Sequence, residues 1–221
     1  MSKAMQFIVV TAMGALVAAS AIADQKSAGG EFSGFLGDYS KLSDEKDAAG
    51  EAVKRYVSPN LKPGAYQKVL IDAFQFYPAP KPSPQLSEQT LNDIRNYMDK
   101  ALRHKLGSKL ALASEPGPGV ARIRPAITAV SSKKQGLKPY EVLPVAFIIS
   151  HGIVGKPKEA AIKLEVEVLD SVTGERLGAA IREGTGAKLE GKDEKLTLEH
   201  VRPLLDKWID TGSAFVAERL K

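Results

Sequence analysis

The chain of 221 residues contains no cysteine. This excludes disulfide bonds and the lipid-modified cysteine of bacterial lipoproteins. The stability of the fold must therefore come from a packed core. Residues 24–221 are numerous enough to build such a core as a single domain.

Histidine is also scarce. The three histidines, His104, His151 and His200, do not have the spacing of a zinc site. Gly152–Lys156 resembles a phosphate-binding loop, but Pro157 stands where a serine or threonine would hold magnesium. We therefore predict no metal site and no cofactor.

Neither positive nor negative charge is in large excess. The net charge is +5, and acidic and basic residues are interspersed along the chain. Proteins that bind nucleic acid concentrate lysine and arginine on one surface, so we expect no nucleic-acid partner. The composition carries no signal for an oligomeric state.

Long apolar runs are restricted to the N-terminus. Lys3 precedes the uncharged run Phe7–Ala19, which is followed by the small residues of Ser20–Ala23 and then by polar Asp24. This pattern predicts a cleavable signal peptide over residues 1–23 and a periplasmic or secreted protein. An uncleaved anchor is the alternative, but the run is shorter than the roughly 20 residues that span a bilayer. We expect no transmembrane span after cleavage.

The rest of the chain is predicted to be one domain. Asp24–Ser33 is polar and glycine-containing, which predicts a flexible tail. We assign residues 34–221 to a single folded domain that begins close to Phe35.

The first half of this domain predicts a strand and a helix. Tyr66–Tyr77 carries apolar side chains on both faces before a proline-rich stretch, which predicts the first strand, at a central position in a sheet. Apolar residues then recur at helical spacing from Leu91 to Leu102, with Ser87 as N-cap and Gly107 as C-cap.

The second half predicts a hairpin. Val120–Val130 and Ala161–Leu169 alternate apolar and polar residues, as half-buried strands do. The second of these continues through the turn residues of Asp170–Arg176 into Leu177–Ile181, which predicts an antiparallel hairpin. Leu143–Ser150 is apolar on both faces, and its length allows a buried strand or a short helical turn.

The last segment predicts an amphipathic helix. Val201–Leu220 places its apolar side chains, Trp208 among them, on one broad stripe opposite charged residues. The order of elements predicts a two-layer α+β fold, in which a mostly antiparallel sheet carries two main helices on one face and the second of these is the amphipathic C-terminal helix.

Several segments together resemble a known family. These segments are Gly34–Leu36 with Asp38–Ser40 and Leu42, then Tyr66–Asp72, Leu164–Glu175 and Trp208. This ordered set resembles family 3313 of the bacterial domains of unknown function. Members of that family are often exported and many look like lipoproteins, so the resemblance implies the cell envelope and no mechanism. This chain departs from such members because it lacks the lipid-attachment cysteine.

Two carboxylates are the first candidates for acid–base chemistry. Asp72 closes a predicted strand and Asp170 begins a predicted turn, but catalysis needs two such groups at one substrate, and no catalytic motif accompanies them. Asp170 is expected to accept hydrogen bonds from backbone amides of its own turn. We also expect two arginines to pair across strands with two glutamates, namely Arg122 and Arg124 with Glu165 and Glu167.

An apolar segment is the candidate for binding. Phe35, Leu36 and Tyr39 lie between glycines close to the start of the domain. They are predicted either to dock on a partner or to cover an edge or open face of their own sheet.

The leading hypothesis is a non-enzymatic periplasmic interaction module of the cell envelope, with an envelope protein or an envelope polymer as its partner. The first alternative is a carboxylate-dependent hydrolase that acts on an envelope polymer. The second alternative is a small-ligand carrier, for which an apolar cavity between helices and sheet would be the discriminating observation.

Overall fold

The structure, a computed structural model, describes residues 32–131, 158–190 and 194–221. These residues form eight strands and two helices: β1 (Ser43–Lys46), β2 (Ala52–Val57), β3 (Lys68–Ile71), β4 (Gln75–Phe76), α1 (Glu88–Gly107), β5 (Ala111–Leu112), β6 (Val120–Ser131), β7 (Lys158–Asp170), β8 (Arg176–Leu189) and α2 (Leu198–Leu220). The predicted signal peptide and Leu143–Ser150 lie outside the described residues.

All eight strands belong to one sheet, in the order β1-β2-β8-β7-β6-β3-β5, with β4 paired to β6 beyond β3. The pairs β1–β2, β2–β8, β7–β8 and β6–β7 are antiparallel. Strand β3 runs parallel to β5 and β6, and β4 runs parallel to β6. The prediction of a mostly antiparallel α+β sheet is confirmed, including the β7–β8 hairpin, in which Glu165 faces Ile181.

The prediction for Tyr66–Tyr77 is wrong in two respects. The hairpin β1–β2 precedes this segment, and β3 lies near the edge of the sheet, between β6 and the two-residue strand β5. The sequence did not predict this hairpin, because all four residues of β1 are exposed and therefore show no apolar alternation. The apolar residues of β3 do not require a central position, because α1 packs beside this edge.

Both helices begin and end at residues with recognisable caps. The hydroxyl of Ser87 accepts the backbone N–H of Thr90 at 3.1 Å, which confirms Ser87 as the N-cap. The prediction of Gly107 as C-cap is wrong by one residue, because Gly107 is the last residue of α1 and the C-cap is Ser108, whose backbone N–H donates to the carbonyl of His104. At the start of α2, Nδ1 of His200 accepts the backbone N–H of Thr197 at 3.1 Å. His200 therefore caps a helix in this structure.

The helices cover one face of the sheet, as predicted. In β7, Ile162 and Leu164 pack with Met98 of α1 and with Leu205 and Trp208 of α2. Trp208 is 5% exposed, which confirms it as a core residue. The intervening side chains of β7 point to the opposite, helix-free face, because successive residues of a strand alternate between faces.

The helix-free face is covered by the chain that precedes β1. Residues Phe32–Leu42, the N-terminal segment, lie over β7 and β8. Within it, Leu36 packs against Ala179 and Ile181 of β8. The sheet thus has two different coverings, two helices on one side and a short irregular segment on the other.

Candidate ligand-binding cleft

The two carboxylates proposed for catalysis have separate sets of partners. The carboxylate of Asp72 accepts hydrogen bonds from Nε of Arg122 at 3.0 and 3.1 Å. The carboxylate of Asp170 accepts the hydroxyl of Tyr66 at 2.8 Å and the backbone N–H of Thr173 at 2.7 Å. The hydrogen bond from Thr173 is the main cause that lowers the pKa of Asp170. Both carboxylates therefore have structural partners of their own, and the structure does not join them in one site.

One of the two predicted cross-strand ion pairs is present. Nη1 of Arg124 lies 2.6 Å from the carboxylate of Glu167, its direct neighbour on β7. Arg122 instead pairs with Asp72, and Glu165 takes a different role beneath the N-terminal segment. Glu167 also binds Arg176 at 3.0 Å, so a single buried carboxylate holds two arginines.

Phe35, Leu36 and Tyr39, the predicted binding residues, lie against the protein's own sheet. Leu36 is 3% exposed, and the ring of Phe35 is half-buried, 5.7 Å from that of Tyr77. The hydroxyl of Tyr39 donates to the carboxylate of Glu165 at 2.7 Å. Of the two roles left open by the sequence, these contacts are those of residues that cover a sheet face.

Glu165 is the centre of this attachment. It is fully buried, and in addition to the Tyr39 hydroxyl it accepts the backbone N–H of Ser33 at 3.2 Å. Burial raises the pKa of Tyr39 to about 12, and the hydrogen bond to Glu165 acts in the same direction. Tyr39 therefore remains a neutral donor at physiological pH, which is the form that a buried carboxylate requires.

Replacing Tyr39 with phenylalanine should lower the free energy of unfolding by about 2 kcal/mol, because a buried charged acceptor loses its donor. Urea denaturation at neutral pH measures the change. The control is Tyr77→Phe, at an exposed tyrosine that contacts the same segment through its ring. Equal stabilities of the Tyr39→Phe variant and the wild type would show that the N-terminal segment is not held by this bond.

An apolar cavity lies on the other side of the sheet. It is a cleft of about 140 Å³ between the second half of α2 and strands β2 and β8, and we call it the α2–β8 cleft. Its inner end is formed by aliphatic and aromatic side chains, among which are Phe74, Met98, Leu102, Leu164, Val166 and Trp208. The lining is mostly apolar, which suits a hydrocarbon group.

Small residues leave this space open. Gly178 and Ala180 lie on the β8 side of the cleft, and Gly212 and Ser213 lie on the α2 side. A Cβ atom added to Gly212 would meet no heavy atom within 4 Å. A larger side chain at Gly212 would therefore fill the cleft.

Three arginines line the cleft at its polar rim, namely Arg55 of β2, Arg182 of β8 and Arg219 of α2. The guanidinium carbon of Arg55 lies 3.7 Å from the ring centre of Phe215, and that of Arg219 lies 5.2 Å from the same ring centre. Phe215 thus contacts two guanidinium groups, in the geometry of cation–π pairs.

Two of these arginines have carboxylate partners. Arg182 binds Asp47 at 2.7 Å, and Arg55 binds the partly exposed Glu45 at 3.1 Å. Burial acts to raise the pKa of Asp47, but the hydrogen bonds from Arg182 and from the backbone of Glu51 outweigh it and lower the pKa to about 2. Burial lowers the pKa of Arg55, and the neighbouring Arg182 adds to this effect.

The third arginine, Arg219, forms no ion pair with a carboxylate of the described residues. It is exposed at the mouth of the cleft. Inside the cleft, the hydroxyl of Ser213 is buried and has no hydrogen-bond partner among the residues that the structure describes. A bound molecule with an acceptor at this depth would satisfy it.

Sequence analysis missed this cleft. Gly184 of β8 serves close packing instead, since an added Cβ there would lie 2.8 Å from Trp208. Gly212 lies within the apolar stripe of the C-terminal helix, and the sequence analysis assigned it no role. The available signal was the small pair Gly212 and Ser213 on the apolar face of a helix, where large side chains are the rule.

Other kinds of site lack support in the described ranges. Residues 32–131, 158–190 and 194–221 contain no cluster of three or more potential metal ligands. In the same ranges, neither helix combines the length and apolar character needed to cross a bilayer.

Comparisons with known proteins place the chain in a family. It is 28% identical over 212 residues to the protein named "Uncharacterized lipoprotein YdcL" of two strains of Escherichia coli, covering 95% of this chain and 96% of the relative. Among solved structures it is similar to a PelC dodecamer subunit from Paraburkholderia phytofirmans, with 11% identity, a TM-score of 0.40 and coverage of 76% and 97% of the two chains.

A second similar structure is a putative neuraminyllactose-binding hemagglutinin homolog from Helicobacter pylori, with 10% identity, a TM-score of 0.38 and coverage of 75% and 89%. The family described as "Protein of unknown function (DUF3313)" matches residues 31–211. This match confirms the resemblance seen in the sequence, and the chain belongs to that family.

Proposed function

We propose that this protein is a non-enzymatic binding protein of the bacterial periplasm, and that it holds an apolar group of its ligand in the α2–β8 cleft. The observation that carries the proposal is the cleft itself, a largely apolar cavity of about 140 Å³ between a helix and the sheet. An apolar cavity of about 150 Å³ in another protein binds benzene, so this space suits a group of about six carbons.

The compartment rests on two supports. The N-terminal sequence has the charged start, the apolar run and the small residues of a signal peptide. The relative that covers nearly the whole chain is named a lipoprotein, and lipoproteins belong to the envelope.

The groups around the cleft favour binding over catalysis. Asp47, the buried carboxylate close to its rim, has a pKa of about 2 and is held by Arg182. Such a group is a poor general base at neutral pH, because its affinity for a proton is too low. The hydrolase hypothesis has no better support at Asp72 and Asp170, whose carboxylates are held in separate places.

The cleft is also a better candidate for binding than the N-terminal segment. The apolar side chain of Leu36 already packs on Ala179 and Ile181. Binding a partner through it would require breaking the attachment at Glu165. The cleft needs no such rearrangement, and its unpartnered Ser213 hydroxyl gains a hydrogen bond from a suitable ligand.

Trp208 provides a direct test, because it is the only tryptophan in the chain and it lines the cleft. We expect 1-butanol, 1-pentanol and 1-hexanol to change its fluorescence on titration, with affinity rising about fourfold per added methylene group. In the Gly212→Leu variant, the new side chain should fill the cleft and weaken binding at least tenfold.

The matched control is Ala214→Leu, which places the same side chain on an exposed position of the same helix. It should bind the alcohols like the wild type. Both variants are expected to fold, because leucine has a high helix propensity and the Gly212 position has free space. Equal binding by wild type and Gly212→Leu, or no binding by the wild type, would contradict the proposed function.

A further inference from the structure

We infer that the ligand of the α2–β8 cleft is an anionic amphiphile, a single hydrocarbon chain that ends in a carboxylate or a phosphate. The inference rests on the proposed function, because it assigns a headgroup to the molecule whose apolar part occupies the cleft. Its basis is the distribution of charge at the rim, where the apolar lining gives way to guanidinium groups.

The rim has more positive than negative charge. Arg55, Arg182 and Arg219 contribute three positive charges, and Glu45 and Asp47 contribute two negative charges. The carbonyl end of α2 adds the equivalent of about half a negative charge, which still leaves a positive excess. An anion is therefore favoured over a cation at this position.

Arg219 is the residue that is available to the headgroup. Arg55 and Arg182 are each 8% exposed, and each already donates a hydrogen bond to a carboxylate, Glu45 and Asp47 respectively. Arg219 is exposed, its guanidinium carbon lies 5.2 Å from the Phe215 ring centre, and a guanidinium presents its N–H donors along its edges. A carboxylate or a phosphate accepts two parallel hydrogen bonds from such an edge.

The volume of the cleft sets the length of the chain. By comparison with the benzene-binding cavity, the cleft has space for about six carbons. In a longer chain, the carbons next to the headgroup would therefore lie at the mouth of the cleft. A chain of about eight carbons should therefore fill the cleft while its headgroup reaches Arg219. Additional carbons would extend beyond the enclosed space and add less affinity.

The experiment compares three probes of equal chain length on the full-length protein at pH 7.5 and low ionic strength, below their micelle concentrations, by Trp208 fluorescence. We expect octanoate to bind about tenfold more tightly than 1-octanol, and octyltrimethylammonium to bind more weakly than 1-octanol. The advantage of octanoate should shrink when 0.5 M salt is added, because the rim is partly exposed.

The variant Arg219→Gln should bind octanoate no better than it binds 1-octanol. The matched control is Arg202→Gln, at an exposed arginine of the same helix that contacts Tyr97. It should keep the full preference for octanoate. Octyl phosphate distinguishes the source of the ligand, since tighter binding than octanoate points to a phospholipid-type head and weaker binding points to a fatty acid.

The results distinguish a failure of this inference from a failure of the proposed function. If all three headgroups bind equally, or if Arg219→Gln keeps the preference for octanoate, the anionic head is refuted and the apolar cleft stands. If none of the probes binds the wild type, the proposed function itself is refuted.

Discussion

Replacing Gly186 with alanine is expected to lower the free energy of unfolding by about 3 kcal/mol. Gly186 of β8 passes directly beneath the first turn of α2. A Cβ atom at this position would overlap the carbonyl oxygen of His200 and lie 3.1 Å from Cα of Val201. These are backbone atoms, so no side-chain rotation can make room and the start of the helix has to move.

Denaturation in urea, followed by far-UV circular dichroism, measures this loss. The control is Gly117→Ala, because an added Cβ there would come no closer than 4.0 Å to Val120. It should leave stability nearly unchanged. A Gly186→Ala variant as stable as the wild type would mean that α2 does not start where the structure places it.

Replacing Arg182 with methionine should cost at least about 3 kcal/mol of stability, because it leaves the charge of Asp47 buried without its partner. The side chains of this pair are 9% and 2% exposed. Asp47 also accepts the backbone N–H groups of Ala49 and Glu51, so the ion pair ties the β1–β2 turn to β8. Losing it should loosen that edge of the sheet.

The double variant Arg182→Met with Asp47→Asn should recover part of this loss, because it removes the unpaired charge. Asp44→Asn is the control, since Asp44 belongs to an ion pair in which it is 84% exposed, and the expected change is below about 1 kcal/mol. If Arg182→Met has as little effect as Asp44→Asn, the pair is not buried.

The same pair predicts a dependence on pH. The pKa of Asp47 falls from 3.8 to about 2 on folding, so its contribution to stability is complete above pH 3.8 and is lost as the pH falls through 2. The difference in stability between the wild type and the double variant should therefore shrink below pH 3.8. Urea denaturation at pH 2.5 and pH 6 checks the sign.

Local patterns made the main elements of the fold predictable. The Ser87 cap with the spacing of Leu91, Ile94 and Met98 identified α1, and alternation identified β7. Strand β1 has no such pattern, because its four residues are exposed and it is attached to β2 by backbone pairing and by the ion pairs of Asp44 and Glu45. A strand without buried side chains leaves no apolar signature in the sequence.

The cleft was not predictable for a different reason. Gly178 and Ala180 of β8 and Gly212 of α2 all line it, and no local pattern in the sequence indicates that small residues from different elements come together. The inward position of Arg182 likewise depends on Asp47, which is 135 residues away in sequence. Such pairings belong to the tertiary structure, whereas periodicity and capping report on neighbours within one element.

The attachment of the N-terminal segment has a consequence for synthesis. Tyr39 leaves the ribosome before the chain has reached Glu165, its acceptor 126 residues later. At typical translation rates this interval lasts roughly 6 to 25 s. During that time Phe35 and Leu36 have no sheet face to cover, since β7 and β8 do not yet exist. The helix-free face can therefore be covered only after β7 and β8, which belong to the last third of the chain, have been synthesised.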